Sequence, residues 1–134
     1  MRPARVFLFI AVVGAMICCD GKRDDDIIRY AAMLRVMEGR RVVAEGVISG
    51  IMWQHMVAPV ASHPRENYLD MRDWQIVVYS EKDIRCRGTA RISGTVVKVE
   101  GSSKDPRRKE ALDEYHIIAD TWTCLPTGGM RGAP

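Results

Sequence analysis

Histidine is scarce in this chain, and so are the spacings that would make it useful to a metal. His55, His63 and His116 are the only three, and the four cysteines include no C-x-x-C. Zinc sites draw their ligands from closely paired Cys or His, so a metal site is not expected. His55 and His63 fall in WQHMVAPVASHP, with no acid at ligand spacing, and read as exposed loop residues. His116 alternates with strand residues and reads as half exposed. There is no G-x-S-x-G, no H-E-x-x-H and no phosphate-binding P-loop, so the common signatures of hydrolases, metalloproteases and nucleotide-binding enzymes are missing. Ser102 and Ser103 follow Gly101, where turn chemistry accounts for them. No catalytic residue and no cofactor is expected.

The front of the chain is also short of what a membrane span needs. Val6 to Ile17 is free of charge, but a transmembrane helix takes about 20 apolar residues. Behind Arg2 and Arg5 the run has instead the length and position of a secretory h-region. Val13-Gly14-Ala15 supplies small residues for an ordinary signal-peptidase cut. Met16-Ile17-Cys18-Cys19 resembles a bacterial lipoprotein signal, in which the chain is cut before a cysteine that then receives a diacylglycerol. Met stands where that signal usually has Leu, and Cys18 where it has Gly or Ala. The resemblance implies lipidation at Cys19 rather than Cys18, because Ile17 would otherwise sit just before the cut. The competing reading is a buried N-terminal helix with two ordinary core cysteines. One acyl chain binds a bilayer only marginally, whereas two or more anchor it stably.

Removal of residues 1 to 18 leaves enough chain for one domain. Lys+Arg falls from 20 to 18 against 17 Asp+Glu, so the net charge falls from +3 to +1. Little global field for nucleic acid remains. Cys86 and Cys124 are then the remaining pair, and an even pair in an exported domain suggests a disulfide. Closing that loop would contribute about 4 kcal/mol in the chain-entropy account. The alternative is two free core thiols.

Residues 19–26 read as a solvated tether, with Asp24 to Asp26 as N-cap candidates. IIRYAAMLRVMEG places Ile27, Tyr30, Ala31, Leu34 and Met37 at helical spacing, so a helix is expected over 27–38 with Gly39 as its stop. The rest reads as β: VVAEGVISGIMW (42–53), WQIVVYS (74–80), IRCRGTARISGTVVKVEG (84–101, one or two strands around Gly88) and YHIIADTWTCL (115–125). Residues 54–72 and 102–114 read as loops, the second with a helical turn after Pro106, and 128–134 as a flexible Gly/Pro-rich tail. AEGVISGI and ISGTVVKV each hold a Gly inside a β-branched run, which marks a bulge or bend. The apolar phase is expected to switch at Gly94, from Ile92 to Val97 and Val99, as in a strand that curls from one face to another.

VVAEGVISGI, WQIVVYS, IRCRG, ARISGTVVKVEG and YHIIADTWTCL together resemble an OB-fold, in particular the small tRNA-anticodon-like OB families of exported bacterial proteins. The resemblance spans most of residues 41–125. It implies a mainly β domain over 39–127, a small Greek-key barrel of about five strands flanked by the N-terminal helix. OB barrels often bind single-stranded nucleic acid, using a basic groove with aromatic platforms. Arg85 and Arg87 share a strand face with Arg91 nearby, and Trp74, Tyr79 and Trp122 are candidate platforms. Edge-protecting charge and core aromatics explain the same residues, and an exported protein has little occasion to meet nucleic acid. Met52, Trp53, Met56 and Val57 form an apolar cluster that is core if buried and a partner patch if exposed. The expected binding surface therefore comprises Trp53, Met56, Arg85, Arg87 and Arg91. The expected role is that of a lipid-anchored, non-enzymatic binding or assembly module at the cell envelope. Its partners are the membrane through its lipid and an envelope protein or small ligand. The alternative is a nucleic-acid-binding OB protein.

Overall fold

The computed structural model describes residues 27–102, 107 and 110–126. The signal segment, Cys19, the tether with its three aspartates, the 128–134 tail and most of the charged stretch after Ser102 lie outside the described residues. What is described is mainly β. The strands are β1 (Ile27–Ile28), β2 (Arg41–Ser49), β3 (Arg65–Asp70), β4 (Gln75–Ser80), β5 (Thr89–Ser102) and β6 (Ala111–Cys124), with a single short 3-10 helix at Ala31–Met37.

All six strands belong to one sheet, ordered β1-β2-β3-β4-β6-β5, and β5 bonds back to β2. The hydrogen bonding of β2 to β6 therefore runs as a ring. The β2–β3, β3–β4, β2–β5 and β5–β6 pairs are antiparallel, and β4–β6 is parallel. Inside the ring lie Val42, Ala44, Leu69, Ile76, Val78, Ile92, Val96 and Ile117. Two glycines allow the strands to close. A Cβ on Gly46 would lie 2.5 Å from the Asp70 carbonyl oxygen, and one on Gly94 would collide with the Ile118 carbonyl.

Several expectations need correction. Ile27 and Ile28 are not helical: they pair in parallel with Val43 and Ala44, and the helix that follows is a 3-10 helix beginning at Ala31. Its Leu34 is fully buried in the core, and the turn after it has Gly39 at φ 72°. The unpaired N–H groups at the helix start are met from a distant segment. Asp73 accepts from the Ala31 N–H at 2.6 Å and the Ala32 N–H at 3.0 Å.

Arg65–Asp70, expected as loop, is strand β3. One of its inward residues is Asn67, whose side chain donates to the Val78 carbonyl and Ser80 Oγ and accepts from the Ile84 N–H. Ile84 to Arg87 is not strand. It is an irregular connection fixed by Asn67, by buried Ile84 and by a disulfide between Cys86 and Cys124, with Cα atoms 5.3 Å apart. In β5 the burial alternation runs unbroken through Ala90, Ile92, Gly94 and Val96 and resumes at Val99. The phase thus switches after Val96, not at Gly94. The register does slip beside Gly94, but the extra residue is in β6: Ser93 pairs with Thr121 and Gly94 with Ala119, leaving Asp120 over.

Candidate functional site

β4 is buried at every position. Ile76 and Val78 face the core, while Gln75, Val77 and Tyr79 alternate with them and must be covered from the other side. The cover is the connection between β2 and β3, residues 50–64, which lies as a strap over β4 and β6. Its backbone is satisfied by side chains rather than by a neighbouring strand. The Trp53 N–H donates to Gln75 Oε1 at 2.9 Å and the Ala58 N–H to Tyr79 Oη at 3.1 Å. Gln75 Nε2 donates to the Ile51 carbonyl at 2.9 Å and to Asp70 Oδ1 at 2.6 Å. These bonds fix the Gln75 amide, its oxygen facing the Trp53 N–H and its nitrogen facing the Ile51 and Asp70 oxygens.

Beneath the strap, His55, Glu114 and His116 meet. His55 Nδ1 lies 2.8 Å from Glu114 Oε2, and its Nε2 lies 3.2 Å from Gln75 Oε1. The His55 ring stacks on Tyr68 at 6.0 Å between centroids. His116 Nε2 reaches the Met56 carbonyl at 2.9 Å and Glu114 Oε2 at 3.2 Å. The Val77 N–H donates to His116 Nδ1 at 3.1 Å. The expected exposure of His55 and His116 is thus overturned, since both side chains are 1% exposed. The physical reason is that residues 59 and 60 positions apart complete each other's bonds, and a satisfied imidazole tolerates burial. Burial pushes the His116 imidazole below its ordinary value, against the opposing pull of the Met56 carbonyl and Glu114. Burial likewise raises the Tyr79 phenol.

The three donors lie within 4.8 Å of one another, close enough to suggest a metal. The bonding argues otherwise. A ligating histidine normally donates its second ring N–H to an acceptor. His116 Nδ1 instead faces a backbone donor, so Nδ1 carries the lone pair and Nε2 carries the proton. His116 could ligate through Nε2 only by breaking the Val77 bond. Each of the four ring nitrogens has a protein donor or acceptor within 3.2 Å, and Glu114, at 29% exposure, is the member that reaches solvent. The cluster is built to hold the strap down.

What the strap holds up is apolar. Ile51, Met52 and Trp53 are 73, 69 and 60% exposed, and Trp74, on the β3–β4 turn, is 58% exposed. The Trp53 and Trp74 rings lie 5.9 Å apart at 51°. Of the expected surface, then, Trp53 is on display. Met56 is half-buried, its sulfur against Gly101. Arg85 and Arg87 are exposed on the connection beside the disulfide. Arg91 lies on β5 opposite Thr123, one position from the bridged Cys124, and is bonded to Glu45 at 2.8 Å. Sequence reasoning missed Trp74 as the partner of Trp53; the signal available was the polar turn MRDW placing an aromatic at its end.

Arg91 lines a second feature, a cleft of about 950 Å³ bordered by Arg29, Tyr30, Arg41, Arg72 and Trp122. Its cations are largely matched. Glu45 accepts from Arg29 and Arg91, and its carboxyl is held below the ordinary value first by Arg91, against burial, and then by Arg29. Arg41 pairs with Asp120 at 3.1 Å, and Arg72 lies over the Tyr30 ring at 5.6 Å. Among the described residues no helix is long and apolar enough to cross a membrane. Compared with known protein families, curated proteins and solved structures, the chain matches none.

Proposed function

We propose that this chain is an exported, lipid-anchored envelope protein whose single domain is a non-enzymatic binding or assembly module of OB type. The observation that carries the binding role is the exposed Trp53–Trp74 pair held above a buried polar network. Exposed aromatics next to Ile51 and Met52 cost solvation, and a fully bonded network beneath them fixes their position. Rigid display of apolar area is what a binding surface needs.

The OB-type reading is supported by strand order. β5-β2-β3-β4 follows the 4-1-2-3 arrangement of a Greek key, and β6 completes a ring of five, as in a small Greek-key barrel. The lipid-anchored reading rests on Arg2, Arg5, the Val6–Ile17 run and Cys19.

The nucleic-acid alternative is favoured by one observation, the four arginines and two aromatics that border the cleft. It stays behind because Arg29, Arg41 and Arg91 already bond acids, and a phosphate would have to displace them.

The anchor is tested by metabolic labelling with a palmitate analogue in a bacterial host. Wild type and Cys18→Ser are expected to carry label and Cys19→Ser to carry none. Label retained by Cys19→Ser would overturn the assignment.

A further inference from the structure

We propose that the strap tip Ile51–Trp53, together with Trp74, lies in the interfacial layer of the bilayer that anchors the chain, so that the domain rides on the membrane by this face. The inference rests on the lipid-anchored reading and deepens it by naming what the exposed surface meets.

Three observations lead there. The first is the chemistry of the patch. Two Trp rings with Ile and Met form an amphipathic aromatic surface, and Trp is enriched where lipid headgroups meet hydrocarbon. The second is its place. The chain enters the domain beside it: the Arg72 N–H donates to the Arg29 carbonyl at 2.9 Å, Asp73 binds the Ala31 and Ala32 amides, and Trp74 follows directly. Tyr30 and Met33, each 47% exposed, border the cleft at that entry. The third is length. Eight peptide steps separate Cys19 from Ile27, and they span at most about 29 Å when extended. A folded domain of about 100 residues is roughly 34 Å across. A tether shorter than the domain keeps the face where Ile27 enters toward the bilayer.

The acids that share the groove at Trp74, with Asp70, are all engaged within the domain, Glu114 with His55. Asp73 is bonded to the helix amides, Asp70 to Gln75 and Asp113 to Lys98. The third tryptophan, Trp122, packs against the core in the cleft that Ile27 and Tyr30 also border; it is half-buried where Trp53 is 60% exposed, which makes it the less accessible reference on the same side.

The test uses the full acylated chain reconstituted in phosphatidylcholine vesicles whose acyl chains are brominated near the headgroup end. Trp74→Phe/Trp122→Phe leaves Trp53 as the emitter, and Trp53→Phe/Trp74→Phe leaves Trp122. Trp53 emission is expected to fall by about a factor of two and Trp122 emission by clearly less, as for an interfacial ring against one half-buried in the domain. Trp53 quenched no more than Trp122 overturns the inference, and a cross-linked dimer with unquenched Trp53 overturns it in favour of a second copy. Intact mass of the same sample reads the anchor separately. An acylated chain with unquenched Trp53 sinks this inference and leaves the anchor standing. Quenched Trp53 on an unacylated chain upholds the surface and sinks the anchor.

Discussion

His116 shows how much one side chain can hold. It takes a proton donor on one nitrogen, gives a proton with the other, and so ties β4, β6 and the strap together. His116→Leu would leave the Val77 N–H and the Met56 carbonyl buried without partners. Each such group costs about 1–3 kcal/mol, so a loss of about 2–6 kcal/mol in urea unfolding is expected. The same residue sets a pH dependence. Its folded value is lowered from 6.5 by burial, so below 6.5 the unfolded chain takes up a proton that the folded chain refuses. Its contribution to stability is present above 6.5 and is lost as pH falls through the lowered folded value. Glu114, His55 and Tyr79 face the same group and are common to wild type and variant. The fall in stability with acid should therefore be shallower in His116→Leu, and equal slopes would contradict the assignment. None of this was legible in the sequence, where His116 is one polar residue in a strand. The groups that satisfy it come from Met56 and Val77, and only folding brings them together.

Among the elements, the 3-10 helix depends on a cap it does not contain. Burial alone would raise the Asp73 carboxyl, but the Ala32 and Ala31 amides outweigh it and hold it below the ordinary value. Asp73→Ala should cost about 1 kcal/mol of stability, the usual worth of a lost cap, read as a lower melting temperature than wild type. An unchanged melt would mean the helix start is satisfied by other groups.

The apolar spacing that marked this segment as helix was sound for Ala31, Leu34 and Met37, which pack on the core. It overreached at Ile27 and Ile28, because β-branched residues beside an open strand edge pair with it instead. β3 was hidden for a different reason. Its inward positions are Asn67 and Leu69, and a buried Asn reads as loop until its partners are known. β4 is legible as a strand buried on both faces. IVVY is continuously apolar, the pattern of a strand covered on both faces, and the strap is the second layer that this pattern implies.

For the whole molecule, the mainly β class and the Cys86–Cys124 bridge were readable from period, glycines and cysteine parity. The ring was not, because it depends on β5 returning to β2 across a long gap in sequence. The bridge joins the end of β6 to the irregular connection after β4, where backbone bonding is sparse, so it secures the part of the ring that strand pairing leaves loose. Such bonds form and persist outside the cytosol, as the proposed export requires.

Fold and address meet in the intact mass of the protein extracted from membranes, measured with and without reductant. The account predicts a chain that begins at Cys19, carries acyl mass and gains two hydrogens on reduction. A chain that begins at Met1 with four free thiols would contradict it.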